Sequence, residues 1–398
     1  MVNWVKNSMD KSDCAKNMAL METALIGKIR EFHKSFPQYA PTPLVTLDCL
    51  AESLGVAGIY VKDESYRFGL NSFKALGCTF AIASYIAQVL GKSVWELDYS
   101  SLPAAASKLG EFTFYAATDG NHGRAVAWAA RELKQKSVVY MNKGCPDVRL
   151  EHIRREGAEA YISELNYDDT IRFVRELADK TPNSVIIQDT AWEGYEDIPS
   201  QIMQGYAVMA LEACEQLEQL GVRPTHVALQ AGVGAFAGSA QAFVSNFYGD
   251  NAPASFIVEP HVADCYYRSA LRSDGEAVNV GGDMKTIMAG LACGEPSHVS
   301  WDILKNKSDF FATIDDAHAA KAMRVFGAPL GTDSRIISGE SGASGMGFLL
   351  ELLQNESLSD LRKEAGIGKD SQFLIFSTEG DTDPQNYWDI VWNGWYSG

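Results

Sequence analysis

Apolar and polar positions along this chain repeat in two periods, and the switches between them mark the elements. Phe112-Thr-Phe-Tyr-Ala-Ala117, Ser137-Val-Val-Tyr-Met141, Ala158-Glu-Ala-Tyr-Ile162 and Val185-Ile-Ile-Gln188 are short runs rich in β-branched and aromatic residues, and read as strands. Residues 124–134, 146–156 and 168–179 between them carry apolar side chains at helical spacing. The alternation resumes with a helix over 199–220, a strand from Thr225 to Gln230, a glycine-rich loop, a helix from Ser239 and a strand from Ser255 to Val258. Gln372-Phe-Leu-Ile-Phe-Ser377 is a late buried strand. Strands separated by helices of this length imply parallel sheets covered on both faces. The expected class is α/β, with two interleaved αβα layers.

The first part of the chain is less regular. Residues 1–36 predict one or two helices, and Tyr39-Ala-Pro-Thr-Pro-Leu44 an extended segment punctuated by proline. Ile59 to Asp63 reads as a strand, and Ser72 to Gly91 as a helix with Ser72 as N-cap. Residues 92–112, around Pro103, form an irregular insert.

Composition narrows the function classes. At 398 residues and 46% hydrophobic content, the chain can fill more than one core. Its formal charge of −17, with no Lys/Arg-rich run, argues against nucleic-acid partners and against anionic membrane surfaces. The apolar stretch Leu76–Leu90 is broken by Thr79, Ser84, Tyr85 and Gln88, too short and polar to span a bilayer. Met1 to Lys16 lacks the apolar run of a secretion signal, so a cytoplasmic location is expected. The seven cysteines are scattered, without C-x-x-C or H-x-x-x-H spacing, so reduced thiols and no metal are expected.

Five loops carry candidate chemistry. Lys62-Asp-Glu-Ser-Tyr-Arg-Phe-Gly-Leu-Asn-Ser-Phe-Lys74 places Lys74 in the first turn of an apolar helix. The positive end of the helix dipole repels an ammonium there, which is expected to lower its pKa and favour the free amine. Thr118-Asp-Gly-Asn-His-Gly123 lies between a strand and a helix, where backbone N–H groups bind anions. Gln230-Ala-Gly-Val-Gly-Ala-Phe-Ala-Gly238 has glycines at 232, 234 and 238 that permit close approach to a phosphate. The same loop fits the dinucleotide pattern G-x-G-x-x-A, with Glu259 ending the next strand, which is a rival reading as a nicotinamide-dependent dehydrogenase. Ser338-Gly-Glu-Ser-Gly-Ala343 and Ser377-Thr-Glu-Gly-Asp-Thr-Asp383 supply polar groups near a late strand end, and Gln188-Asp-Thr-Ala-Trp-Glu-Gly-Tyr195 supplies a candidate substrate wall. Each loop alone also fits a bland structural role: a solvated lysine, an Asn-Gly turn, tight helix packing, a capping turn, a packed linker.

Together, and in this order, the loops resemble the fold-type II pyridoxal-phosphate enzymes, which include serine/threonine dehydratases, threonine synthase and the tryptophan synthase β chain. The segments KDESYRFGLNSFKALG, TDGNHGRAVAWAA, NYDDT, QDTAWEGY, QAGVGAFAG, GGDMKTIMAGLACGEP, RIISGESGA and STEGDTD are closer still to the diaminopropionate ammonia-lyase branch, and span residues 62 to 383. The resemblance implies a homodimer with a large cofactor-binding domain from 1–77 and 205–398, and a small substrate-side domain from 78–204. It implies that Lys74 carries pyridoxal 5'-phosphate and that Asn121 meets the cofactor's phenolic oxygen. Gly232, Val233, Gly234, Ala235 and Gly238 would hold the phosphate. Glu340 would belong to the cofactor site, with Ser377 or Thr378 near the pyridine nitrogen. The backbone around Asp119, Gly120 and His122 would receive the substrate carboxylate, with Asp189 and Tyr195 completing the substrate site.

Two departures are informative. Asp119 stands where dehydratases carry a small or hydroxyl residue, and the last turn reads T-E-G-D rather than S-G-G-N. The implied reaction is α,β-elimination of 2,3-diaminopropionate to pyruvate and two ammonia. Lys74 is expected to take the α-proton of the L isomer and Asp119 that of the D isomer, with Asp189 binding the cationic β-amino group. A serine/threonine dehydratase of the same fold is the nearest rival, and Asp119 and the QDTAWEGY segment speak against it.

Overall fold

The computed structural model describes residues 2–397. Its strands are β1 (Asn3–Lys6), β2 (Leu44–Thr46), β3 (Gly58–Asp63), β4 (Thr113–Thr118), β5 (Lys136–Met141), β6 (Glu159–Ile162), β7 (Ser184–Ile186), β8 (His226–Gln230), β9 (Ala254–Pro260), β10 (Phe310–Ile314) and β11 (Gln372–Ser377). They form two sheets. One is seven-stranded, ordered β1-β10-β9-β8-β11-β3-β2, and the other four-stranded, ordered β6-β5-β4-β7. All pairings are parallel except those of the edge strands β1 and β2 in the larger sheet. This is the expected α/β architecture of mostly parallel sheets. The central strands β3, β8 and β10 are buried at every position, which is why they read as unbroken apolar runs rather than alternations.

Three local expectations change. The first 36 residues contain strand β1 as well as the helices Ala15–Ala19 and Thr23–Lys34. Asn3-Trp-Val-Lys6 is too short to show a period, and becomes a strand because β10 offers an open edge. Ser72 does not cap the helix Lys74–Val89: it pairs with Glu379 in an isolated bridge, and Phe73 precedes the helix without a side-chain cap. The helices expected from 124 and Ser239 begin earlier, at Asn121 and Ala235. Gly123 and Gly238 therefore lie inside first turns. They are glycines for packing: a Cβ would approach Thr118 to 2.5 Å at the first and Met203 and Ser300 to 3.1 Å at the second.

One crossing sets the position of the site. The helices Lys74–Val89 and Asp197–Gln219 touch through Gly77 and Gly205. A Cβ on Gly205 would come within 2.3 Å of the Leu76 carbonyl oxygen, and one on Gly77 within 2.8 Å of that of Ile202. Gly205 lies directly on the backbone of Leu76 and Gly77, while Gly77 also faces the side chains of Tyr206 and Ile202.

Candidate active site

Lys74 is delivered by a heavily anchored segment. Behind it lies a saturated charge cluster. Lys62 Nζ donates to Glu212 Oε2 and the Thr42 carbonyl at 2.7 Å each, and to Gln216 Oε1 at 2.9 Å. The Arg67 guanidinium, wholly buried, donates to Glu64 at 2.8 Å, Glu212 at 2.7 Å, and Thr42 Oγ1 and the Ala40 carbonyl at 3.1 Å. Burial works against these charges, but Arg67 and Lys62 together hold the Glu212 carboxyl down at about 2. In front of the cluster the chain turns through Phe68 and Asn71, both at positive φ. It is then tied to the segment after β11: Gly380 N–H donates to the Asn71 carbonyl at 3.0 Å and Phe73 N–H to that of Thr378 at 3.2 Å. Lys74 follows as the first helical residue.

The Lys74 side chain enters a cavity that also receives Asp119, Asn121, Asp189, the stretch Gly232–Ala235 and Thr378. Six expected residues are not brought to its wall. Gly238 packs its helix against Met203 and Ser300. Ser377 donates to Ser338 Oγ at 2.8 Å, away from the cavity. Tyr195 stacks on Trp192 and donates to the Ile186 carbonyl at 2.7 Å, so its hydroxyl supports the loop. His122 turns inward, with Nε2 at 2.7 Å from the Ile187 carbonyl oxygen, and burial lowers its pKa. Gly120 lies in the turn before the helix Asn121–Glu132, its N–H donating to Thr118 Oγ1 at 2.8 Å. Glu340 starts the helix Glu340–Gln354 and is buried behind Asp119, where Asn386 donates to it.

The expected electrostatics of Lys74 are reversed. Burial does push its pKa down, but Asp189 Oδ2, at 2.5 Å from Nζ, outweighs burial, and the net shift is upward. A helix start acts as a fraction of a charge, whereas Asp189 is a full one at hydrogen-bond distance. Asp189 in turn resists the upward push of its own burial and is held well below the usual carboxylate range by Lys74 and His122. Tyr206 donates to the same Oδ2 at 3.0 Å, while Asp189 Oδ1 is buried without a partner.

On the other side, Asp119 and Asn121 are each held by a group not anticipated from sequence. Arg149 Nη1 donates to Asp119 Oδ2 at 3.3 Å, and Nη2 lies 3.7 Å from Glu340 Oε2. The Asn121 amide donates to Glu379, whose other oxygen accepts from Ser341 N–H at 3.1 Å. The signals were faint. Glu379 is the second residue of the departing T-E-G-D turn, and Arg149 is a lone cation on the buried face of a helix beside Leu150 and Ile153.

These donors fit pyridoxal phosphate. Two wall residues, Asp189 and Gln230, hold buried oxygens without partners, as a cavity built for a polar ligand would. The loop Gly232–Gly234 runs into the start of the helix Ala235–Tyr248, whose first N–H groups have no partner within the helix and suit a phosphate. Gln230 Nε2 donates to Thr378 Oγ1 at 3.1 Å, which leaves the threonine hydrogen free for an uncharged ring nitrogen. Asn121 keeps one amide hydrogen for a phenolic oxygen.

Comparison with known proteins points to the same cofactor class. Residues 36–363 match the family model described as pyridoxal-phosphate dependent enzyme. The chain is 49% identical over 371 residues to the diaminopropionate ammonia-lyase of Salmonella typhimurium (strain LT2), covering 92% of each chain. The crystal structure of the holo diaminopropionate ammonia-lyase from Escherichia coli superposes with a TM-score of 0.92 at 44% identity, covering 100% of this chain and 98% of that one. The same enzyme in complex with D-serine gives the same TM-score, identity and coverage. The chain therefore belongs to the pyridoxal-phosphate dependent enzymes, within their diaminopropionate ammonia-lyase branch.

Proposed function

We propose that this protein eliminates ammonia from 2,3-diaminopropionate, as either the D or the L isomer, with pyridoxal phosphate bound to Lys74. The observation that carries the reading is the convergence of Lys74 with Asp119 and Asp189 on one cavity in a chain of this family. Bound there, the cofactor supplies the electron sink that makes the substrate's α-hydrogen acidic.

The protein's own groups do the rest. Lys74 Nζ takes the α-proton presented on its side, that of the L isomer, and the Asp119 carboxylate takes the D isomer's from the other. Asp189 resists its burial because a cation faces it, and the β-ammonium group suits that place once Lys74 serves as the base. Its unpartnered Oδ1 is the free acceptor for that group. Because the β-nitrogen is bound already protonated, it leaves as ammonia without a separate acid. Water then converts the released 2-aminoacrylate to pyruvate and the second ammonia. The turn that carries Asp119 and Asn121 into the cavity receives the substrate carboxylate, Gly232–Ala235 the cofactor phosphate, and Thr378 its ring nitrogen.

Purified protein should be yellow, lose its colour with hydroxylamine, and release one pyruvate and two ammonia from each isomer. Asp119→Asn should abolish turnover of the D isomer first, and undiminished D-isomer activity would remove the role given to Asp119. We further propose that the chain divides into large and small domains near residues 77 and 204, works in the cytoplasm and forms a homodimer. No helix of the described residues is long and apolar enough to cross a membrane. Exposed Trp388, Trp392 and Trp395 offer an apolar surface for a second copy, and light scattering on the holoenzyme tests that assembly.

A further inference from the structure

We infer that Arg149 is a positioning residue that sets the turnover of the D isomer by holding the Asp119 carboxylate in the cavity. The inference rests on the proton-handling role proposed for Asp119. Arg149 comes from a different helix, Asp147–Arg155, and is 4% exposed, yet it does not line the cavity. Its Nη1 reaches Asp119 Oδ2 at 3.3 Å, and Nη2 faces Glu340 at 3.7 Å. Glu379 adds a third carboxylate to its surroundings. Its Nε is buried with no partner.

An arginine buried this way, with one N–H unsatisfied, is poor evidence for stability. It is better explained by what it holds. Of the three surrounding carboxylates, only Asp119 and Glu379 reach the cavity, and Glu379 is already committed to Asn121 and Ser341. Asp119 has Arg149 as its ion-pair partner. The approach also constrains the neighbouring turn. Gly120 is at φ +151°, and a Cβ there would strike Arg149 Cδ at 2.9 Å, so the arginine stem packs directly on the backbone that carries Asp119. Lys74 is held independently, by Asp189, whose Oδ2 also accepts from Tyr206. Loss of Arg149 should therefore separate the two isomers.

The test is steady-state kinetics of the Arg149→Met and Arg149→Lys holoenzymes on both isomers, beside Asp119→Asn. Arg149→Met is expected to lower kcat for the D isomer about 10- to 100-fold, with KM for D and kcat for L changed by less than about threefold. Arg149→Lys should recover part of the D-isomer turnover, because it keeps the charge and loses the fork. A crystal structure of Arg149→Met should show the Asp119 carboxylate turned from its place in the cavity. A parallel fall for both isomers, or Asp119 unmoved, overturns the inference. If Arg149→Met does not fold, Arg149→Lys decides alone through a lowered D-to-L ratio, and an unchanged ratio overturns the inference. D-isomer turnover lost in Asp119→Asn but intact in the Arg149 variants overturns this inference only. D-isomer turnover intact in Asp119→Asn overturns the proposed role of Asp119 and this inference with it.

Discussion

Two buried clusters of paired charges lie one behind the other along the path to Lys74, and they are built to different standards. In the rear cluster, the charged groups of Lys62, Arg67, Glu64 and Glu212 are bonded to one another or to Thr42, Ala40 and Gln216. In the forward one, Lys74 and Asp189 meet at 2.5 Å, but Asp189 Oδ1 has no partner and the pair opens on the cavity. Burying charge is costly unless every lone pair and proton is used. The rear cluster meets that requirement and fixes the backbone. The forward cluster is left incomplete, and its unused valences are the ones a ligand can take up.

That contrast can be broken most severely at Lys74. Lys74→Ala should lower elimination about a thousandfold or more and remove the visible band of the holoenzyme, while the melting temperature of the apoprotein stays near that of wild type. Elimination at the wild-type rate would end the assignment of the forward cluster. The rear cluster should answer in the opposite currency of stability. Arg67→Met leaves Glu64 and Glu212 facing each other in the interior and should cost about 3–5 kcal/mol, read from the denaturant midpoint, with turnover per folded molecule changed only a few-fold. A large loss of turnover at full stability would mean that the two clusters are not separate in function.

Asp189→Asn sharpens the comparison within the forward pair. Asp189 raises the pKa of Lys74, so in the apoprotein the free amine that captures the cofactor becomes plentiful only at high pH. The variant removes that pull. The rise in capture rate with pH, followed by absorbance on adding pyridoxal phosphate, should move to lower pH. A profile at the wild-type position would show that Asp189 does not govern the lysine.

The smallest expected effect concerns Glu340, behind Asp119. Burial raises its carboxyl to about 7, with Arg149 opposing. The folded state thus binds more protons than the unfolded one between the ordinary carboxylate range and about 7, and this contribution to stability declines as pH rises through that window. Glu340→Gln should flatten the decline, a change of about a few degrees in melting temperature between pH 5 and 8. An unchanged slope would place the titration elsewhere.

Much of this was legible in the chain itself, because parallel strands buried on both faces print as apolar runs and catalytic loops follow their ends. The loops that carry Lys74, Asp119, Asn121 and Asp189 stand out for that reason, and their roles follow from the resemblance of the set to pyridoxal-phosphate enzymes. What stayed hidden were pairings between distant segments. Nothing near Asn121 announces Glu379, 258 positions away, and nothing near Asp119 announces Arg149. The sign of the Lys74 shift failed likewise: the helix start is local and readable, whereas Asp189 is 115 residues on and stronger. Gly238 misled because a glycine that admits a helix and one that admits a phosphate look the same in sequence.

The crossing of Gly77 with Gly205 gives the lysine an unusual kind of reference point. Where helices meet through side chains, their separation is an average over rotamers, and substitutions can retune it by degrees. On the Gly205 side the spacer is the peptide backbone of Leu76 and Gly77, which has no rotamers to sample. The distance from Lys74 to the long helix bearing Tyr206 and Glu212 is in effect set by a gauge block with little room for gradual adjustment. Any residue larger than glycine at either position would shift the whole gauge at once, so drift at this joint can proceed only by leaving it untouched.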